Sequence, residues 1–129
     1  MNKILVEVSV GELLDKITIL EIKKEKIKDE KSLKFINDEY NILKSEFDKN
    51  IKFNEDLKKL FNSLKEINSK LWLIEDEKRM FEKNSDFGEK FIKVSRDIHF
   101  LNDERSKVKL EINSQTGSKI REIKKYTDY

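Results

Sequence analysis

Three charged residues occupy positions on predicted helix faces that are otherwise apolar. Lys24 lies between Leu20 and Ile27 on the first predicted helix, Glu75 lies close to the apolar stripe of the third, and Arg105 lies at the centre of the stripe of the fourth. Burying an unpaired charge costs several kcal/mol, so each of these side chains must pair, reach water or line a pocket.

Two interpretations of these charges stay open. In the first, they form a structural polar layer that fixes helix register, with Glu75 and Arg79 as an ordinary i, i+4 pair. In the second, they line a pocket for a small anion, because arginine forks bind carboxylate or phosphate. The candidate ligand-binding residues are Lys24, Glu75, Arg79, Asn102, Arg105 and Lys109.

Most catalytic and metal-binding signatures are absent from the sequence. The three glycines, at positions 11, 88 and 117, form no phosphate-binding loop, and the chain has no cysteine. His99 is the single histidine, and with Asp103 four residues later it is interpreted as a surface histidine beside an acid. We therefore expect no catalytic residue, no metal site and no cofactor.

The composition predicts long, solvated helices. Charged residues make up 42% of the 129 residues, and the chain has no proline and few glycines, which is typical of helical proteins with exposed faces. Apolar residues at steps of three and four indicate coiled-coil-like seams on the second and third helices. The length fits a single domain over residues 1–129.

Capping signals place four predicted helices. A capping box at Ser9 and Glu12 starts the first near Val10. A polar turn at 28–32 and a break in phase at 50–54 separate the next two. The remaining boundaries are a second helix from Leu33, a third from an Asn54 cap to about Lys83, and a fourth from a capping box at Asp86 and Glu89 to Thr116, with Gly117 as its left-handed end.

The two chain ends are predicted to form short strands. Residues 3–8 are a β-branched run, and the segment from Ser118 to Tyr126 is placed beside them. The predicted fold class is therefore all-α: antiparallel helical hairpins in a four-helix bundle with long coiled-coil-like helices, and a minor short strand at each terminus.

The charge pattern and the apolar seams indicate which partners to expect. The 28 basic and 26 acidic residues are mixed along the chain, which argues against a nucleic-acid partner. No apolar stretch of 18 residues and no signal peptide is present, so we expect a cytoplasmic protein without a membrane span. Because a single hairpin would leave its seams exposed, we predict a homodimer.

Three segments resemble a small bacterial and phage family of unknown function. They are ILVEVSVGELLDKITILEIK at 4–23, LWLIEDEKR at 71–79 and NDERSKVKLEIN at 102–113. The resemblance extends over nearly the whole chain and implies no catalytic role, although some members are associated with genes for surface sugars or glycosyl transfer. The helical opening is also similar to that of chorismate mutases, but the spacing of basic residues departs from the pattern of that family.

The sequence thus favours a non-enzymatic interaction or scaffold module that works through its helical faces. The alternative is a helical bundle that binds a small anion or a sugar-related ligand through its interior charged residues, with or without catalysis. An open concavity lined by those residues would favour the alternative, and a closed layer of ion pairs would favour the scaffold.

Overall fold

A computed structural model describes residues 2–129. It contains four helices, α1 (Val10–Lys26), α2 (Glu30–Asn50), α3 (Glu55–Lys83) and α4 (Glu89–Thr116). At 1.5 Å per residue, α3 and α4 are each roughly 42 Å long, whereas α1 reaches only about 25 Å. The all-α prediction is confirmed. None of the helices in this part of the chain has the length and apolar character needed to cross a bilayer.

Local capping explains where most of the helices begin and end. The Ser9 Oγ accepts a hydrogen bond from the Glu12 amide at 3.0 Å, and the Asn54 Oδ1 accepts one from the Leu57 amide at 2.8 Å. Gly117, at φ 65°, ends α4 in the left-handed conformation. The predicted ends at Val10, Asn54, Lys83 and Gly117 are confirmed.

Two predicted helix starts were wrong. Helix α2 begins at Glu30 rather than Leu33, because the Asp29 carboxylate caps the Ser32 amide at 2.8 Å and the polar run is its first turn. Helix α4 starts after Gly88, without a side-chain cap. Asp86 accepts a hydrogen bond from the Gly88 amide within the turn, so it is not available for the predicted capping box.

The two terminal strands were also predicted wrongly, since residues 2–9 and 118–129 are irregular and the described chain contains no strand. The segments meet near their ends, where the Val10 amide donates to the Ser118 Oγ at 3.2 Å. The tail, residues 118–129, then runs back along α4, and Glu122 binds Lys109 at 3.6 Å. A two-stranded pair with nothing to cover it is only marginally stable in water, which explains its absence.

Helix α1 lies at the centre of the structure. It packs against all three longer helices, and α3 packs against α4 as an antiparallel hairpin closed by the turn at 84–88. Helix α2 packs on α1, and its Phe47 reaches the shared core. The buried core side chains from all four helices are Leu14, Ile17, Phe47, Leu57, Leu64 and Ile112.

The α3–α4 hairpin continues beyond the end of α1. Ile22, near the end of α1, lies beside Leu71 and Trp72, and α3 runs on to Lys83. We call residues 73–98 the arm. Val94 is the one residue of the arm that is fully buried, since no third helix covers this part of the hairpin. The arrangement is therefore a four-helix base with a two-helix projection.

Candidate functional site

A buried carboxylate joins α1 to the hairpin. Asp15, on α1, is 2% exposed. The Arg105 Nε donates to its Oδ1 at 3.0 Å, and the Arg105 Nη2 donates to its Oδ2. The Asn68 Nδ2, on α3, also donates to Oδ1 at 2.8 Å, and the Lys109 Nζ lies 3.4 Å from Oδ2. One carboxylate of α1 thus binds residues of two other helices, α3 and α4.

The partners of Asp15 keep it ionised. Burial by itself would raise the pKa of Asp15, but hydrogen bonds from Arg105 and Asn68 and the positive charges of Arg105 and Lys109 lower it below its ordinary value of 3.8. Burial opposes the charge of Arg105 as well, and the hydrogen bonds and charge of Asp15 raise the pKa of Arg105. A carboxylate held so firmly in its ionised form is poorly suited to accept a proton in catalysis.

Close packing of α1 on α4 positions this network. The Gly11 amide donates to the Asn113 Oδ1 at 2.7 Å, and a Cβ at position 11 would lie 2.6 Å from the Lys109 carbonyl oxygen. Glycine therefore allows the two backbones to approach. The carboxylate of its neighbour Glu12 binds the Lys109 ammonium at 2.7 Å, and within residues 2–129 it does not accept the Ser9 amide hydrogen bond that the predicted capping box requires.

An apolar cleft of about 440 Å³ opens between α1 and the hairpin. Ile19, Ile22, Leu71 and Trp72 form its apolar part. Its polar residues are Asn68, Glu75, Asp76, Arg79, Asn102 and Arg105. Four of the six predicted site residues, namely Glu75, Arg79, Asn102 and Arg105, therefore line a single concavity.

A second, polar cleft of about 510 Å³ lies on the other side of Arg105. Lys109, the fifth predicted residue, lines it together with Asn102 and Arg105, and its ammonium contacts the carboxylates of Glu12, Asp15 and Glu122. The tail thus supplies part of its wall. The Lys109 charge lowers the pKa of Glu122, although burial of that carboxyl acts in the opposite direction.

Lys24 lies away from both clefts. Its ammonium is 4.0 Å from the ring centroid of Tyr40 on α2, and the residue is exposed. Its side chain therefore lies on the side of α1 that faces α2, whereas the other predicted site residues lie on α3 and α4. The prediction that Lys24 belongs with the other site residues is therefore corrected.

Sequence reasoning missed the residue at the centre of the network. Neither Asp15 nor its partner Asn68 was among the predicted site residues. Gly11, Asp15 and Thr18 recur at steps of four and three and so share one helix face, which is a small and polar stripe against α3 and α4. That spacing is visible in the sequence, but by itself it does not show that the face is buried.

No group of His, Asp and Glu side chains within residues 2–129 is placed to hold a metal ion. The model for a family described as Family of unknown function (DUF6165) matches residues 4–128, which confirms the resemblance to an uncharacterised family. No curated protein and no solved structure matches the chain.

Proposed function

Because the chain belongs to DUF6165, a family of unknown function, we propose a function from the geometry of the chain itself. It is a non-enzymatic interaction module that forms a homodimer through the arm. The supporting observation is that the arm projects beyond α1 and keeps large apolar side chains in solvent. These exposed side chains are Leu73, Met80, Phe87 and Ile92. A cytoplasmic location remains a prediction.

The positions of the exposed side chains support a second copy as the partner. Leu73 and Met80, 61% and 49% exposed, are seven residues apart and so share one face of α3. Phe87 lies seven residues after Met80, in the turn. A two-fold axis at Met80 would place Leu73 of each copy near Phe87 of the other and bring the two Met80 side chains together, as an isologous interface requires.

The charged network supports a structural role for the interior charges. Asp15 binds both Arg105 and Lys109, and these two ion pairs fix α1 on the hairpin. An anionic ligand would have to compete with the bound carboxylates for Arg105 and Lys109. The alternative of a site for a small anion, or for a sugar-related ligand that carries a phosphate, is therefore less well supported. The open concavity that four of the predicted residues line is the feature that favours the ligand alternative, but the two arginines in it are paired with Glu75 and Asp15, so the scaffold interpretation needs no further group at these residues.

Cross-linking tests the homodimer directly. The chain has no cysteine, so Met80→Cys supplies its only thiol. We expect a short bismaleimide cross-linker to join two chains of this variant, because the residue lies at the proposed axis. Ile42→Cys, at an exposed position on α2, is the matched control and should remain uncross-linked.

Light scattering on the unmodified chain is the second readout. We expect twice the chain mass of 15.5 kDa at micromolar concentration, and Met80→Glu should reduce it to one chain while circular dichroism shows unchanged helix. A mass of 15.5 kDa for the unmodified chain, or equal cross-linking at positions 80 and 42, would contradict the homodimer.

A further inference from the structure

The arginines of the apolar cleft are already bound to carboxylates. The Arg79 Nη1 lies 3.3 Å from the Glu75 Oε2, and Arg105 binds Asp15. Asp76, at the rim, has no ion-pair partner within residues 2–129. The free charge of the cleft is therefore negative, and an anionic ligand would find no unpaired cation there.

A buried amide adds a second free acceptor. Asn68 is 4% exposed and lines the cleft. Its Nδ2 donates to the Asp15 Oδ1 and to the Thr18 Oγ1, both at 2.8 Å, and the Thr18 hydroxyl itself donates to the Asp15 carbonyl. The Asp15 carboxylate and the Thr18 hydroxyl oxygen can only accept hydrogen bonds from the amide. The atom of Asn68 that faces them is therefore the nitrogen, which fixes the orientation of the amide. The Asn68 carbonyl oxygen has no donor in the described chain.

The remaining surface of the cleft is apolar and aromatic. Ile19, Ile22 and Leu71 provide aliphatic surface, and Trp72 provides an indole ring. An aliphatic stem that ends in a cation suits such a surface, because the methylene groups pack on apolar side chains and the cation is attracted to an aromatic face.

We propose that this cleft binds an alkylammonium group, carried either by the lysine side chain of a partner or by a small free amine. The ammonium N–H groups donate to the Asp76 carboxylate, and the methylene chain packs on Trp72 and Leu71 towards Asn68. Asn68 lies eight residues, or about 12 Å, from Asp76 along α3, so its carbonyl oxygen accepts from a second donor of the ligand, such as the far amine of a diamine or a peptide N–H. A polyol would bury hydroxyls against the aliphatic surface, and an anion would face Asp76. The site does not depend on dimerisation.

The single tryptophan of the chain lies in this cleft and reports its occupancy. We would follow Trp72 fluorescence during titration with cadaverine, a free diamine, and with N-acetyl-lysine N-methylamide, a peptide-borne ammonium, at constant ionic strength. A saturable change with either one supports the site, and the tighter of the two identifies the source. Sodium acetate and glucose should leave the fluorescence unchanged.

Matched variants connect the signal to the proposed contacts. Asp76→Asn should weaken amine binding about fivefold, near the upper limit for an exposed ion pair. Arg79→Gln frees the Glu75 carboxylate from its ion pair with Arg79 and should strengthen amine binding. Glu66→Gln removes an exposed acid of α3 that lies outside the cleft and should change nothing.

Four results would overturn the proposal. They are a saturable response to acetate or glucose, no response to either amine, equal affinity in the Asp76→Asn variant and the unmodified chain, and weaker binding in the Arg79→Gln variant. Circular dichroism of each variant separates loss of binding from loss of fold.

Discussion

The Arg105 guanidinium binds both oxygens of the Asp15 carboxylate across the interface of α1 and α4. Such a bidentate pair fixes distance and angle together, since two parallel hydrogen bonds leave little freedom to rotate. Asp15 is fully buried, whereas the Arg105 side chain is 28% exposed at the wall shared by the two clefts. The pair therefore anchors α1 and borders both concavities.

Replacing the arginine should destabilise the fold. Arg105→Leu leaves the Asp15 charge buried with only Lys109 and Asn68 as partners, and we expect the free energy of unfolding to fall by about 3 kcal/mol, as for other broken buried pairs. Urea titration measures the loss. Arg79→Leu, whose side chain is 73% exposed, is the control and should change the value by less than about 0.5 kcal/mol. A more stable Arg105→Leu variant would instead indicate that the arginine is kept for a ligand.

Acid should remove the contribution of Asp15. Its pKa is lower in the folded chain than the ordinary value of 3.8, so its stabilisation is complete above that value and is lost as pH falls through the folded pKa. We expect the difference in unfolding free energy between the unmodified chain and Asp15→Asn to be constant above about pH 5 and to shrink towards about pH 2. Urea titrations across this pH range test the prediction. A difference in unfolding free energy that does not change with pH would refute the assignment of the effect to Asp15.

An added methyl group at Gly11 should separate α1 from α4. Alanine normally stabilises a helix interior by about 1 kcal/mol relative to glycine. Here its Cβ would lie 2.6 Å from the Lys109 carbonyl oxygen, and we expect Gly11→Ala to cost about 1–3 kcal/mol. Thermal unfolding shows whether the variant is more or less stable than the unmodified chain. Gly88→Ala should cost less, because the nearest atom is 3.5 Å away, and a stabilised Gly11→Ala variant would show that the contact is loose.

Lys24 and Lys109 should respond differently to the same substitution. Lys24→Met removes a contact with the Tyr40 ring at an exposed position, so we expect a loss below about 1 kcal/mol. Lys109→Met removes the ammonium that binds Glu12 and Asp15, at a side chain that is only 13% exposed, and should cost more. Chemical denaturation compares them. Equal losses would indicate that Lys24 has an interior role after all.

Local signals in the sequence predicted the helices well. Ser9, Asn54 and Gly117 act through atoms a few residues away, so their effects can be read without the tertiary structure. The predicted terminal strands do not form, because a strand needs a partner strand and the tail contacts α4 instead. Glu75, Arg79, Asn102 and Arg105 share a cleft, as the helix phases suggested.

The centre of the site was beyond prediction for a physical reason. Which face of α1 meets α3 and α4 depends on how three helices divide the surface of a fourth. The apolar pattern in the sequence indicates only the face that holds Leu20 and Ile27. The face with Gly11, Asp15 and Thr18 is polar and is buried because its partners satisfy it. Such burial cannot be recognised until the partners are known.

The pairing of α1 with α4 also constrains how the chain folds. Asp15 and Arg105 are separated by 90 positions, whereas the helices of a simple bundle are held mainly by neighbours in sequence. As the chain leaves the ribosome, α1 emerges first and has no partner for Asp15 until most of α4 has followed. Helix α2 can dock on α1 early, but the base of the structure closes only after α4 has been made, so folding should be slower than for a helical protein with local contacts.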